Sequence, residues 1–238
     1  LTYVNTFKNT TGLPVGQTHP GFSELTNMAL SPDSSRLFLV TRTSYTSSGD
    51  NVKLDPSALL VFGINASTGD LTLEQTFLDG VNGVGGLDST VYFGVACSPD
   101  GHSVYTASED DDAIVHFEVG TKDGLFVLSE QLRAGIGGAL GLSGPLTMAM
   151  SPDGRQVYAV GEDDSALVVF NRDLFDGSLI WRQTIYDDDG ADGLRTPRHV
   201  AVSPDGKHIY VASVYEGISV FERDYWTGCL QYKEKYPV

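Results

Sequence analysis

One four-residue turn recurs along this chain and limits what it can fold into. Its copies are Ser31-Pro32-Asp33-Ser34, Ser98-Pro99-Asp100-Gly101, Ser151-Pro152-Asp153-Gly154 and Ser203-Pro204-Asp205-Gly206. Each follows a short apolar run and precedes a run rich in Val, Tyr or Leu. Pro presets φ, Asp bonds its own backbone, and Gly accepts φ > 0, so each copy joins two adjacent antiparallel strands. After the first copy the interval settles at roughly 50 residues, which is the period of a repeat architecture.

The last copy shows the unit most plainly. RHVAVSPDG (198–206) is a strand ending in the turn, HIYVAS (208–213) is its return, and GISVFERD (217–224) alternates as a half-buried strand does. LQYKEKY (230–236) alternates with a more polar face, as an outer strand would. Four short strands per repeat, with no apolar stripe of helical period, predict an all-β propeller of four-stranded antiparallel blades. The runs NMAL (27–30), FGVAC (93–97), TMAM (147–150) and HVAV (199–202) are small enough for the innermost position.

Leu1-Thr2-Tyr3-Val4, Leu71-Thr72-Leu73-Glu74, Leu125-Phe126-Val127-Leu128, Leu179-Ile180-Trp181-Arg182 and Leu230-Gln231-Tyr232-Lys233 align as outer strands. The chain is therefore expected to be one domain with repeats near 1–70, 71–124, 125–178 and 179–229, and a final outer strand at 230–238. That is one outer strand more than four repeats need, so part of a larger, seven-bladed ring is expected.

Charge narrows the partners. Of 238 residues, 31 are acidic and 15 basic, a net charge of −16. Phosphate backbones call for clustered Lys and Arg, so nucleic acid is not expected, and neither is an anionic membrane surface. No apolar run is long enough to span a bilayer. Cys97 and Cys229 fall at distant places in the repeat and are expected to stay unpaired. A secreted or periplasmic location is favoured over a cytoplasmic one.

The connections alternate between two faces. The repeated turns share one face with those before the outer strands. The other carries longer loops rich in Asp and Gly, namely SEDDDA (108–113), GEDDSA (161–166) and YDDDGADGLRTP (186–197), with an expanded loop near Thr41–Pro56. Binding residues concentrate on such loops. Asp110, Asp111, Asp112, Asp163 and Asp164, converging with Asp187, Asp188, Asp189 and Asp192, would offer the oxygen ligands that Ca²⁺ takes. Turn-capping, solvated aspartates are the competing reading. No His pair has zinc-ligand spacing, and no nucleophile elbow or phosphate-binding loop occurs.

The unit SPDGKHIYVAS…ISVFERD…TGCLQY resembles the YVTN-type repeat of the lactonase-like propellers, a family that includes seven-bladed 6-phosphogluconolactonases. The resemblance covers essentially the whole chain. It implies a central pocket where an inner strand opening with Pro-Arg-His meets a Glu that follows the next strand. Pro197-Arg198-His199 matches the first element; Glu109 and Glu162 match the second. Thr26-Asn27, Phe93-Gly94 and Leu146-Thr147 stand where Arg198-His199 would in the other repeats. The resemblance implies that Arg198 holds a carboxylate or phosphate and that His199, helped by Glu162, acts as base toward water.

Two functions follow. The first is a binding or scaffold module meeting a protein or small-molecule ligand through the Asp/Gly-rich loops. The alternative is a lactone hydrolase using Arg198, His199, Glu162 and Glu109.

Overall fold

The recurring turn closes in the way its residues dictate. In each copy the fourth residue donates its N–H to the Ser carbonyl, at 2.9 Å in the first and 2.8 Å in the other three. Gly101, Gly154 and Gly206 take φ of 73°, 70° and 69°, and Ser34 accepts the same left-handed conformation at 57°. The Asp carboxylate receives the Ser hydroxyl in the first and fourth copies at 2.6 Å. The Ser hydroxyl oxygen in turn accepts the N–H five residues on, at 2.9 to 3.0 Å in all four. Ser, Pro and Asp thus satisfy the donors that the reversal would leave unpaired.

The computed structural model describes residues 24–42, 44–48, 51–88, 93–136 and 139–237, and no helix occurs among them. The outer strand expected at Leu1–Val4 lies outside the described residues. The first blade holds β1 (Glu24–Leu30) and β2 (Arg36–Arg42). A separate hairpin of β3 (Ser44–Ser48) and β4 (Asn51–Asp55) follows, and then come β5 (Ala58–Ile64) and β6 (Leu71–Leu78). The second holds β7 (Phe93–Cys97), β8 (Ser103–Ser108), β9 (Ala113–Val119) and β10 (Phe126–Arg133). The third holds β11 (Pro145–Met150), β12 (Gln156–Gly161), β13 (Ala166–Arg172) and β14 (Leu179–Asp187), plus the two-residue β15 (Gly190–Ala191). The fourth holds β16 (Pro197–Val202), β17 (His208–Ser213), β18 (Gly217–Arg223) and β19 (Leu230–Tyr236).

Within each blade the strands run in chain order and antiparallel, β1-β2-β5-β6 in the first; only β15 pairs parallel, on β14. The hairpin occupies part of the expanded loop expected at Thr41–Pro56. Tyr45, Thr46 and Val52 suit the extended backbone, and antiparallel pairing gives the insertion internal partners.

The core lies between blades. Phe38, Val40, Leu59 and Val61 of the first blade meet Val95, Val104, Val115 and Phe117 of the second. Tyr105, Ala107 and Ile114 of the second meet Val157, Ala159, Val168 and Phe170 of the third. Tyr158, Val160, Leu167 and Val169 of the third meet Val200, Ile209, Val211 and Phe221 of the fourth. Each blade thus has a forward face toward its successor and a backward face toward its predecessor. The inner strands pack in the order β1, β7, β11, β16, and among the described residues no comparable contact joins β16 to β1. No helix among the described residues is long and apolar enough to cross a membrane.

Candidate functional site at the inner rim

Three of the four inner strands carry an extra residue at their entrance. The register of β1 on β2 slips between Leu25 and Asn27, that of β11 on β12 between Pro145 and Met148, and that of β16 on β17 between Pro197 and His199. Such bulges re-aim side chains at the rims of closed or curved sheets. In the fourth blade the extra residue is Arg198. Thr196, just before Pro197, sits at a φ of 54°. That is a costly conformation for a β-branched residue, held where the chain crosses onto the inner strand.

Arg198 reaches back to the third blade. Its Nη2 lies 2.7 Å from Oε1 of Glu162, with the two side chains 37% and 17% exposed. Glu162 follows β12, and its own N–H donates to the Gly144 carbonyl at 3.0 Å. A second bond ties the same strands, the Thr147 hydroxyl donating to the Arg198 carbonyl at 3.2 Å. His199, the next residue along β16, is exposed. The arrangement is a guanidinium oriented by a carboxylate, open to solvent along part of its surface, with an accessible imidazole one residue on. Such a group can receive an anion or a developing oxyanion, and the imidazole can accept a proton from water. Glu109 holds the equivalent place one blade earlier and is half-buried.

Four of the aspartates expected to converge hold backbone or side-chain partners at separate junctions. Asp111 pairs with Arg133 at 3.0 Å and accepts the Asp88 N–H at 2.9 Å. Asp112 accepts the Gly144 N–H at 2.7 Å, and Asp164 the Ser143 N–H at 3.0 Å. Asp187 accepts the N–H groups of Gly193 and Leu194 at 3.0 and 2.7 Å. Asp112 ties a loop of blade two to the entry of blade three, Asp111 and Asp164 hold the entries of their own blades, and Asp187 folds the connection that leads into blade four. Asp110, Asp163 and Asp189 are exposed. Among the described residues, Asp187, Asp188 and Asp192 form the one group of three or more such side chains whose oxygens lie close enough to share a metal ion. Lys235 already places its ammonium 2.6 Å from Asp192 and 2.8 Å from Glu216. Those two bonds raise the Lys235 pKa and keep it charged.

A second pair of arginines was not singled out by sequence. Arg172 and Arg223 end the third strands of blades three and four and cross to the preceding blade's turn. They lie 2.8 Å from Asp100 and 2.8 Å from Asp153 respectively, each with 2% side-chain exposure. Arg172 also donates to the Tyr105 hydroxyl at 2.9 Å and to Ser103 Oγ at 3.1 Å. Burial pushes the Asp100 carboxyl up, but bonds from Ser98, His102 and Arg172 outweigh it and hold the pKa at about 2. The repeated Phe-x-Arg-Asp at 170–173 and 221–224 was the available signal. His116 is buried against the same network, 3.0 Å from Ser103 Oγ and stacked on Tyr105. Burial, and then the nearby Arg172, lower its pKa to about 4. Cys97 and Cys229 are free thiols, and burial drives the Cys97 pKa up to about 12.

Four-stranded antiparallel blades packed face to face along successive inner strands define a β-propeller. The sequence model of the family "Lactonase, 7-bladed beta-propeller" matches residues 54–187, and the chain belongs to that family. A comparison with curated proteins finds no match. Among solved structures, a candidate 6-phosphogluconolactonase from Bacteroides uniformis is similar at 20% identity and a TM-score of 0.61, over 89% of this chain and 71% of that one. The periplasmic gluconolactonase of Pseudomonas aeruginosa is similar at 19% identity and a TM-score of 0.59, over 93% of this chain and 73% of that one. The hydrazine synthase of Kuenenia stuttgartiensis is similar too, at 20% identity and a TM-score of 0.56, over 96% of this chain and 52% of that one. At these identities the likeness is one of fold.

Proposed function

We propose that the inner rim of blades three and four contributes to the hydrolysis of a lactone. The observation that carries this reading is the half-exposed Arg198, oriented by Glu162 at 2.7 Å and flanked by exposed His199, in a chain of the lactonase family. In the reaction His199 takes a proton from water as its oxygen attacks the ring carbonyl carbon. Arg198 faces the negative charge of the substrate or of the tetrahedral oxyanion. The acyl–oxygen bond then breaks, and the ring oxygen leaves as an alcohol after regaining the proton from the imidazolium. Glu162 acts as a positioning residue, since it touches Arg198 rather than the reacting atoms.

The binding-module reading has less support, because many aspartates of its loop face bond the molecule's own backbone. The test is ring opening of γ- and δ-lactones, charged and uncharged, followed by base uptake at constant pH. Turnover that falls at least about 100-fold in His199→Ala and Arg198→Ala, with folding intact, is expected. A chain that opens none of these rings, or variants that match the parent, would overturn the reading.

A further inference from the structure

Two neighbouring blades carry large apolar side chains that their turns do not require. The turn before the outer strand closes the same way in the first, third and fourth blades. Gly69, Gly177 and Gly228 donate their N–H groups to the carbonyls of Asn65, Asp173 and Asp224 at 2.7, 3.0 and 2.9 Å. The side-chain oxygens of those three residues accept the N–H groups of Ser67, Phe175 and Trp226 at 2.9, 2.7 and 3.0 Å. The first blade completes this turn with Ala66-Ser67, where the third has Leu174-Phe175 and the fourth Tyr225-Trp226. Phe175 is 99% exposed and Trp226 85%, and Leu174 and Tyr225 are exposed as well. Four such side chains on adjacent turns add nothing that the turns need, so contact with another molecule is the use left to them.

Leu174 of the third blade and Trp226 of the fourth both line a hollow of about 280 Å³. The indole is braced by the Tyr225 ring, 5.2 Å away and nearly perpendicular at 84°. Gln156, only 5% exposed, donates from Nε2 to Asn171 Oδ1 at 3.2 Å in the same lining. That bond leaves the Asn171 NH₂ group as a donor with no protein acceptor among the described residues.

The charge here is of the opposite sign to the rest of the chain. Among the described residues no Asp or Glu lines the hollow. Arg172 lines it but is held by Asp100 at 2.8 Å. The Arg155 guanidinium, also in the lining, lies 5.9 Å from the centre of the Tyr225 ring and pairs with no carboxylate among the described residues. Neither does Arg182, whose Nε donates to the Thr227 carbonyl at 3.1 Å. In a chain of net charge −16, unpaired positive charge thus meets an exposed aromatic ring.

We propose that this hollow binds an acidic saccharide built of uronate rings. One ring stacks on Trp226, its carboxylate meets Arg155, and its hydroxyl oxygens accept from the Asn171 amide. A pyranose offers a face of C–H groups to the electron-rich face of an indole, and a rim of hydroxyls to amide donors. A carboxylate takes a guanidinium fork in two parallel hydrogen bonds. A peptide fits less well, because the Gln156–Asn171 pair gives its apolar side chains no apolar floor. Phe175, at the equivalent tip one blade away, supplies a second ring on which a longer chain of the same sugar rests.

The test is calorimetric titration of the whole chain with short oligomers of galacturonate and of glucuronate, each beside its carboxyl-reduced, uncharged counterpart. The acidic oligomers are expected to bind at least about 10-fold tighter than the reduced ones. Trp226→Ala weakens both forms by at least about 10-fold. Arg155→Ala removes the difference between the two forms, and Phe175→Ala weakens the longer oligomers alone. Because the first blade closes the same turn with Ala66-Ser67, Trp226→Ala and Phe175→Ala keep Tm within about 2 °C of the parent. Three results would overturn the proposal. One is acidic oligomers that do not bind at millimolar concentration. Another is binding untouched by Trp226→Ala, or a preference for the acidic form untouched by Arg155→Ala. The third is poly-glutamate or UMP bound at Trp226 more tightly than any uronate oligomer.

Discussion

Two kinds of arginine–carboxylate pair sit on opposite faces of this propeller and differ chiefly in how much water they see. Arg172 with Asp100 and Arg223 with Asp153 lie on the face of the repeated turns, their guanidinium side chains 2% exposed. Arg198 with Glu162 lies on the long-loop face, with the guanidinium side chain 37% exposed at nearly the same separation. A buried charge must stay matched, so the first pairs are committed to holding blades together. A half-solvated guanidinium can exchange its partner for a ligand at modest cost. Burial, rather than residue type or distance, separates the clasp from the candidate site.

Breaking a clasp is the largest effect to expect. Arg223→Ala strands Asp153 and Gln156 in a joint closed by apolar side chains, and should cost about 3–5 kcal/mol in urea unfolding. A loss below about 1 kcal/mol would place the pair with ordinary surface bridges.

The next effect is set by pH. His116 is lowered to about 4 in the folded chain, whereas the unfolded chain binds that proton near the ordinary 6.5. Its contribution is full above pH ~6.5 and is lost as pH falls toward ~4, at most about 3 kcal/mol. Asp100, lowered to about 2, adds a separate loss below its ordinary carboxylate range. His116→Val, which matches Val61 and Val169 at the equivalent positions, should flatten the stability curve between pH ~6.5 and ~4 while leaving the lower limb. An unchanged slope would mean that His116 charges freely.

The smallest effect compares the two clasps with each other. The Tyr105 hydroxyl receives Arg172 and donates to the Gly177 carbonyl, both at hydrogen-bonding distance. In the next joint the longer Gln156 replaces Ser103 and takes the guanidinium for itself, leaving the Tyr158 hydroxyl buried without a partner among the described residues. Tyr105→Phe should therefore cost about 1–2 kcal/mol, and Tyr158→Phe close to nothing or a slight gain, read as urea midpoints. Equal losses would undo the distinction.

Much of this was legible from local chemistry. The Ser-Pro-Asp turn carries its own hydrogen-bond partners within five residues, so strand order, blade count and the span of β19 could be read directly. Arg198, His199 and Glu162 were found through a resemblance, and the pairing of Arg198 with Glu162 had no local signal because it depends on which blades touch. The clasp arginines repeat visibly in Phe-x-Arg-Asp, yet their partners lie about 70 residues earlier in the chain. The aspartate runs were hard to read for the same reason: Asp111 and Asp112 are neighbours, yet one accepts the Asp88 N–H and the other the Gly144 N–H. The β3–β4 hairpin was hidden by its Ser and Gly content, which resembles a loop.

The most direct measurement is the unfolding free energy of Arg172→Ala beside that of Arg198→Ala, in one urea titration at neutral pH. The account predicts a loss of about 3 kcal/mol or more for Arg172→Ala and less than about 1 kcal/mol for Arg198→Ala. Equal losses, or a larger one at Arg198, would contradict it, because the inner-rim pair would then be another clasp and not a site.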